Sequence, residues 1–343
     1  MQTGGCAKRR MFFHPAPVLS CFMERAPTPA HLTFQPADAE SFAAAVTAAT
    51  PEAPVAAADL RRLDAARAPG EHHTRRLAWE GREVVGALEI ELPRMDSFGG
   101  WLQLVVHTLR PDDAVREALW AEAVATVTAA GAHTAVTRVK EDTPDLAFLL
   151  ARGWQEHDRM WPSTLDLRTL DFAAFAENET RVREAGFRLV PLTDLGPWDE
   201  VQQRRYYALT IALLADVPSA RRIEPWPFEV WQRRFGNGIE REGLFVAVAP
   251  NGEWVGTSQL AQPIPARPGT LHNGLTGVLP AWRGHGLGLA LKLAAARTAL
   301  TRGYTHSRTS NHPVNRPMLA INERLGFVRE AATVTLVREV SGG

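Results

Sequence analysis

The chain has 343 residues with 38 basic and 38 acidic side chains, and 45% of its residues are apolar. Balanced charge gives no global electrostatic reason to expect nucleic acid or an anionic membrane as partner, and the length accommodates two domains. The only two cysteines, Cys6 and Cys21, lie in the first 21 residues. That excludes a disulfide framework or a cysteine-based zinc site in the body of the chain; no metal site is expected, and the cytoplasm is the default compartment.

The opening 30 residues begin with a basic cluster ahead of apolar residues, as a secretory signal does, but His14, Pro15 and Pro17 interrupt the apolar part. A secretory core needs roughly 7–15 unbroken apolar residues. Residues 1–30 therefore read as an unstructured leader, or as a start placed too early, with Met23 as the true one. No apolar run reaches the ~20 residues of a membrane-spanning helix. Three lysines, Lys8, Lys140 and Lys292, stand against 35 arginines. With Ala and Pro also abundant, this reads as the base composition of a GC-rich genome rather than as a functional signal.

Residues 31–165 begin with "HLTFQPADAESFAAAV", a strand followed by a helix start. "WEGREVVGALEIEL" (79–92) alternates apolar residues about a Gly-containing turn and a Val-Gly pair, the pattern of a hairpin or bulged strand pair. A strand "WLQLVVHTL", an Ala-rich helix "REALWAEAVATVTAAGA" and a strand "HTAVTRV" follow. "FLLARGWQEHDRMW" (148–161) reads as a helix end, a C-cap glycine and a strand. Residues 166–186 read as a linker. Residues 187–343 then repeat the order. "FRLVPLTDLGPWDEV" opens like the first half, "APNGEWVGTSQLAQP" (249–263) matches 79–92, and "INERLGFVREAATV" (321–334) matches 148–161. Gly86 to Gly153 spans 67 positions and Gly256 to Gly326 spans 70. The chain thus reads as two copies of one α/β unit.

The halves differ at one place. "GVLPAWRGHGLGLALK" (277–292) sets Gly284, Gly286 and Gly288 between a strand and a helix. The first amides of a helix have no internal partners and carry partial positive charge. Glycines let a bulky anion reach them, so the turn reads as a phosphate cradle. A mononucleotide P-loop needs a Lys-Ser or Lys-Thr pair, and none occurs. The dinucleotide fingerprint fails because Leu289 stands where its third glycine belongs. In the first half the corresponding "VVHTLRPDDAVREALWAEA" has no glycine between Gly100 and Gly131, and Asp112, Asp113 and Glu117 would repel an anion there. That half reads as a degenerate copy.

Val278, Pro280, Arg283, Gly286 and Gly288 spell V-x-P-x-x-R-x-x-G-x-G, and "NHPVNRPMLAINERLGF" follows with an Asn, a short helix and Leu-Gly-Phe. This resembles the GNAT superfamily of N-acetyltransferases, in a tandem, mycothiol-synthase-like arrangement. The resemblance implies two tandem GNAT folds, each a mixed, mostly antiparallel sheet flanked by helices. It implies acetyl-CoA as co-substrate, its pyrophosphate at Gly284, His285, Gly286, Leu287, Gly288 and Leu289 with Arg283 beside it. Its pantetheine arm would lie along Val278 and be supported by Asn315, with the Val278 or Leu279 amide as oxyanion donor. The acceptor would be a primary amine of a small molecule or peptide, attacked directly in a ternary complex; no nucleic acid or membrane partner is implied. The protein is expected as a monomer or homodimer. Many family members place a Tyr acid seven residues after the helix Asn. Here that position is Asn322, which can hydrogen-bond a sulfur but not protonate it. For the base, His272 shares even spacing with Val278 and hence its strand face, while Asp216 and Glu224 lie in a segment that borders the acceptor cleft. The missing Tyr leaves a rival reading, a non-catalytic acyl-CoA-binding sensor or scaffold.

Overall fold

The computed structural model describes residues 31–51, 54–65, 67, 70–92, 99–217 and 225–340. The leader at 1–30 and the candidate Glu224 lie outside them.

The first half runs β1 (Thr33–Pro36), α1 (Ala39–Ala49), α2 (Ala57–Ala65), β2 (His73–Glu80), β3 (Glu83–Glu91), β4 (Trp101–Thr108), α3 (Asp113–Ala129), β5 (Thr134–Lys140), α4 (Pro144–Leu150) and β6 (Gln155–Asp166). Then come α5 (Ala176–Glu184), β7 (Arg188–Pro191), α6 (Glu200–Leu214), α7 (Phe228–Arg234), β8 (Leu244–Val248), β9 (Trp254–Pro263) and β10 (Thr270–Val278). The chain closes with α8 (Leu287–Thr301), β11 (His306–Asn311), α9 (Arg316–Leu325), β12 (Val328–Arg329) and β13 (Thr333–Glu339). Apart from α5 and the two-residue β12, the second half repeats the order of elements of the first.

The landmark glycines have packing reasons. A Cβ on Gly86 in β3 would lie 2.6 Å from Leu119 of α3; one on Gly256 in β9 would lie 2.8 Å from the Gly277 carbonyl and 3.3 Å from Leu291 of α8. In each half this glycine lets the long helix settle close to the sheet. Gly153 and Gly326 take left-handed φ values of 81° and 90°, ending α4 and α9. Only glycine adopts that conformation without strain.

All described strands join one continuous sheet in the order β1-β2-β3-β4-β5-β13-β6-β11-β10-β9-β8-β7, with β12 pairing β6. Pairing is antiparallel except for β4 with β5 and β10 with β11. The two halves exchange strands. β13, the last strand of the chain, lies between β5 and β6, with Thr333 opposite Lys140 on one side and Met160 on the other. Its Val334 and Leu336 are fully buried in the first half's core. β6 crosses the other way: Gln155–Met160 pairs with β13, whereas Trp161–Asp166 pairs with β11. Pro162, which cannot donate to a ladder, sits where the partner changes.

Residues 166–186, expected as a linker, are folded into the second half. They form two short 3-10 turns and α5, and Leu167, Phe175 and Val182 are buried in the core that also holds α8 and Phe327.

Candidate functional site

β10 and β11 are paired only at Thr270–His272 with His306–Arg308; beyond that the parallel strands part. The cause is a bulge. Asn273 is opposite Leu260 and Thr276 opposite Ser258, so three steps on β10 match two on β9. Gln259 fills the distortion, its Oε1 accepting from the Leu275 amide (3.3 Å) and its Nε2 donating to Tyr206 (2.8 Å). From the gap between the strands opens a cleft of about 530 Å³, lined by β10 from Leu275 to Val278, the glycine turn, the start of α8 and one face of α9.

The turn itself is built from left-handed glycines, Gly284 at φ 83° and Gly286 at φ 78°. Gly286 is the N-cap of α8 and no side chain caps the helix. The first half differs: Asp112 caps α3, its Oδ1 accepting from the amides of Ala114 (2.8 Å) and Val115 (3.2 Å). One helix start is left without a side-chain cap; the other is closed by a carboxylate of its own. Gly286 also has a second constraint. A Cβ there would lie 2.2 Å from Oδ1 of buried Asn178 on α5, whose Nδ2 donates to the Gly286 carbonyl (3.2 Å). Asn178 lines the cleft and escapes sequence reading because its segment looks like a linker.

Among the cofactor-site expectations, Val278, Arg283, Gly284, Gly286, Leu287, Gly288, Leu289 and Asn315 line the cleft. Leu279 does not, and its amide is already used, donating to Val255 (2.8 Å). In an antiparallel ladder the next residue's groups face the opposite side, so the Val278 N–H points away from β9, toward the gap. The Val278 carbonyl follows, accepting from Arg283 Nε (3.2 Å). Of the two amides expected as oxyanion donors, only Val278 is oriented for it. His285 faces away from the cleft: its Nδ1 contacts the Trp282 and Arg283 carbonyls, and its ring meets Phe187 edge-on at 5.2 Å. Asn315 caps α9, accepting from the Met318 amide (3.4 Å).

The catalytic candidates are not gathered. The β10 bulge shifts the alternation by one, so His272 and Val278 face opposite sides of the sheet; His272 is exposed, opposite Arg308, and outside the cleft lining. Asp216 does line the cleft, but its carboxylate is ion-paired with Arg283 across the rim. Asn322 is buried, donates to Asn311 Oδ1 (2.7 Å) and leaves its own Oδ1 without a partner. It lies beside the α9 face that lines the cleft, not on it. Nor does a tyrosine replace it. Tyr206 is fully buried among Thr257 and Gln259, and burial pushes its pKa up to about 12.

With this geometry in place, the comparisons are specific. Residues 209–327 match the model of the Acetyltransferase (GNAT) family. The whole-chain fold is shared with a tandem GNAT protein from the clavulanic acid biosynthesis pathway, at 23% identity and a TM-score of 0.68 over 91% of this chain and 99% of that one. It is shared with a GCN5-related N-acetyltransferase from Sphaerobacter thermophilus, at 16% identity and 0.65 over 91% and 97%. A GCN5-related glucosamine N-acetyltransferase region of a fungal multi-domain β-N-acetylglucosaminidase aligns at 16% identity and 0.67, over 91% of this chain and 39% of that one. No curated protein matches. The family match thus covers residues 209–327, and the fold over most of the chain is that of tandem GNAT structures. No described helix is long and apolar enough to cross a membrane.

Proposed function

We propose that the protein is an acetyl-CoA-dependent N-acetyltransferase with a single donor site, in the second half. The observation that carries the reading is the uncapped start of α8, with its left-handed glycines, opening into a cleft between parted parallel strands. The residues fit the co-substrate. The α8 amides and Arg283 suit a diphosphate, the exposed main-chain edge of β10 suits a pantetheine amide arm, and the cleft volume lies within the range of small-molecule sites. When bound, acetyl-CoA supplies the activated acyl group. The protein holds the diphosphate at α8, directs the Val278 N–H toward the gap, and closes the rim with the Asp216–Arg283 pair. The acceptor is a primary amine of a small molecule or peptide attacking directly in a ternary complex.

The test is titration calorimetry with acetyl-CoA, followed by a coupled thiol assay over a panel of amines. Gly288→Glu is the diagnostic variant. Gly288 is helical, its φ is not left-handed, and a Cβ there meets only Ile321 at 3.4 Å, so the fold tolerates it while a carboxylate enters the cradle. Binding should be lost in Gly288→Glu and kept in the matching first-half variant Ala114→Glu. Equal affinity of wild type and Gly288→Glu would refute the site. Tight binding with no turnover on any amine would favour the acyl-CoA-binding sensor, a reading supported by the absence of a hydroxyl at Asn322.

A further inference from the structure

Lys292 sits on α8 one turn beyond Gly288 and on the same helix face, directly under the floor of the cleft. It is 5% exposed and forms no ion pair among the described residues. Around it are Leu165, Leu260, Ala295, Ala296 and Leu325, with the Phe327 ring centroid 5.0 Å from Nζ. A chain with 35 arginines keeps a lysine here, and the choice has a physical reason: a guanidinium cannot shed its charge, whereas a buried amine can. Burial lowers the Lys292 pKa to about 7.

Among the described residues its one hydrogen-bond partner is the Asn273 side chain, at the start of the β10 bulge: Nζ donates to Oδ1. That contact fixes which way the amide lies. Nδ2 must then face the other way, where it donates to the Gln259 carbonyl (2.9 Å) and reaches Thr276 Oγ1 (3.4 Å) and Ser258 Oγ (3.5 Å). Ser258 is fully buried and lies 2.9 Å from Thr276 Oγ1. Asn273 Nδ2 thus donates toward the Thr276 oxygen, while Ser258 and Thr276 share a hydrogen bond in which either hydroxyl can be the donor. With Ser258 donating, two buried donors converge on the Thr276 oxygen and its hydroxyl hydrogen is free to point elsewhere. Thr276 lines the cleft.

Resting on the acetyl-CoA reading above, we infer that Lys292 is a positioning residue: by orienting Asn273 it turns the Thr276 hydroxyl into a hydrogen-bond donor toward the thioester carbonyl of the bound acyl donor. An amide turned over would present Oδ1 to Thr276, and the hydroxyl would donate inward instead. A donor aimed at that oxygen polarises the carbonyl for attack.

The experiment is infrared spectroscopy of acetyl-CoA carrying a ¹³C-labelled thioester carbonyl, free and bound to the full-length protein. Binding to wild type should move the carbonyl band to lower wavenumber. Thr276→Val and Lys292→Met should each lose more than half of that displacement, and the double variant should lose no more than Thr276→Val alone. Affinity for acetyl-CoA should stay within about fivefold, the worth of one net hydrogen bond. Should Lys292→Met fail to fold, Thr276→Val at the cleft edge and Asn273→Asp carry the test, both with reduced displacement. An unchanged band in Thr276→Val or in a folded Lys292→Met overturns this inference while leaving the acetyl-CoA reading intact. Absence of acetyl-CoA binding by wild type overturns both.

Discussion

Replacing Lys292 by methionine should reverse its effect on stability across the pH range. The cavity around Nζ is lined by leucines, alanines, serines, Asn273 and Phe327, with no ionisable side chain other than Lys292 itself. Burial alone lowers its pKa from 10.5 to about 7. At about 1.4 kcal/mol per pH unit, that gap corresponds to roughly 5 kcal/mol. Because the folded value is the lower one, the unfolded chain binds more protons between pH 7 and 10.5. Wild-type stability therefore rises with pH through that window and carries the full penalty below it. Methionine removes the penalty but strands Asn273 Oδ1, which costs ~1–3 kcal/mol. The variant should be more stable than wild type by about 2–4 kcal/mol at pH 6. Near pH 10 it should be no more stable, or weaker. Urea denaturation of both proteins at the two pH values reads the difference directly. Parallel curves, with no change in the wild-type-to-variant gap, would refute a lysine whose charge is uncompensated in the fold.

Two further expectations concern architecture. Gly286→Ala places a Cβ against Asn178 at φ 78°, and should destabilise the protein by on the order of 2–4 kcal/mol; adding Asn178→Ala should recover the contact part in the same melts. A fragment of residues 187–343 should fail to unfold cooperatively, since it lacks the β6 segment beside β11 and leaves β13 without β5; a fragment of residues 161–331 should fold and retain acetyl-CoA binding by calorimetry.

Local patterns were legible where local physics decides them. The strand glycines Gly86 and Gly256, the caps at Gly153 and Gly326 and the glycine turn at 284–288 each express a close approach or a left-handed φ, and these show in sequence. Tertiary choices were not. Nothing in "QEHDRMWPSTLD" or "TVTLVRE" says which half a strand will pair with, because both halves offer equivalent edges; Pro162 is the one hint. His272 was misplaced because alternation assumes an unbroken strand, and the bulge adds a residue. Asp216 looked free because its partner Arg283 lies 67 positions away. Lys292 looked compositional, yet a lone lysine in a Leu- and Ala-rich helix of an arginine-using chain was a readable sign.

Strand exchange gives the first half a role that needs no ligand. Its β6 supplies an edge to the domain that carries the cleft, and it receives β13 in return. A half whose own helix start is sealed by Asp112 still supplies, through the end of β6, the strand that β11 pairs with. Each half is the other's missing rib, and losing either would open the sheet on the side where its neighbour is joined.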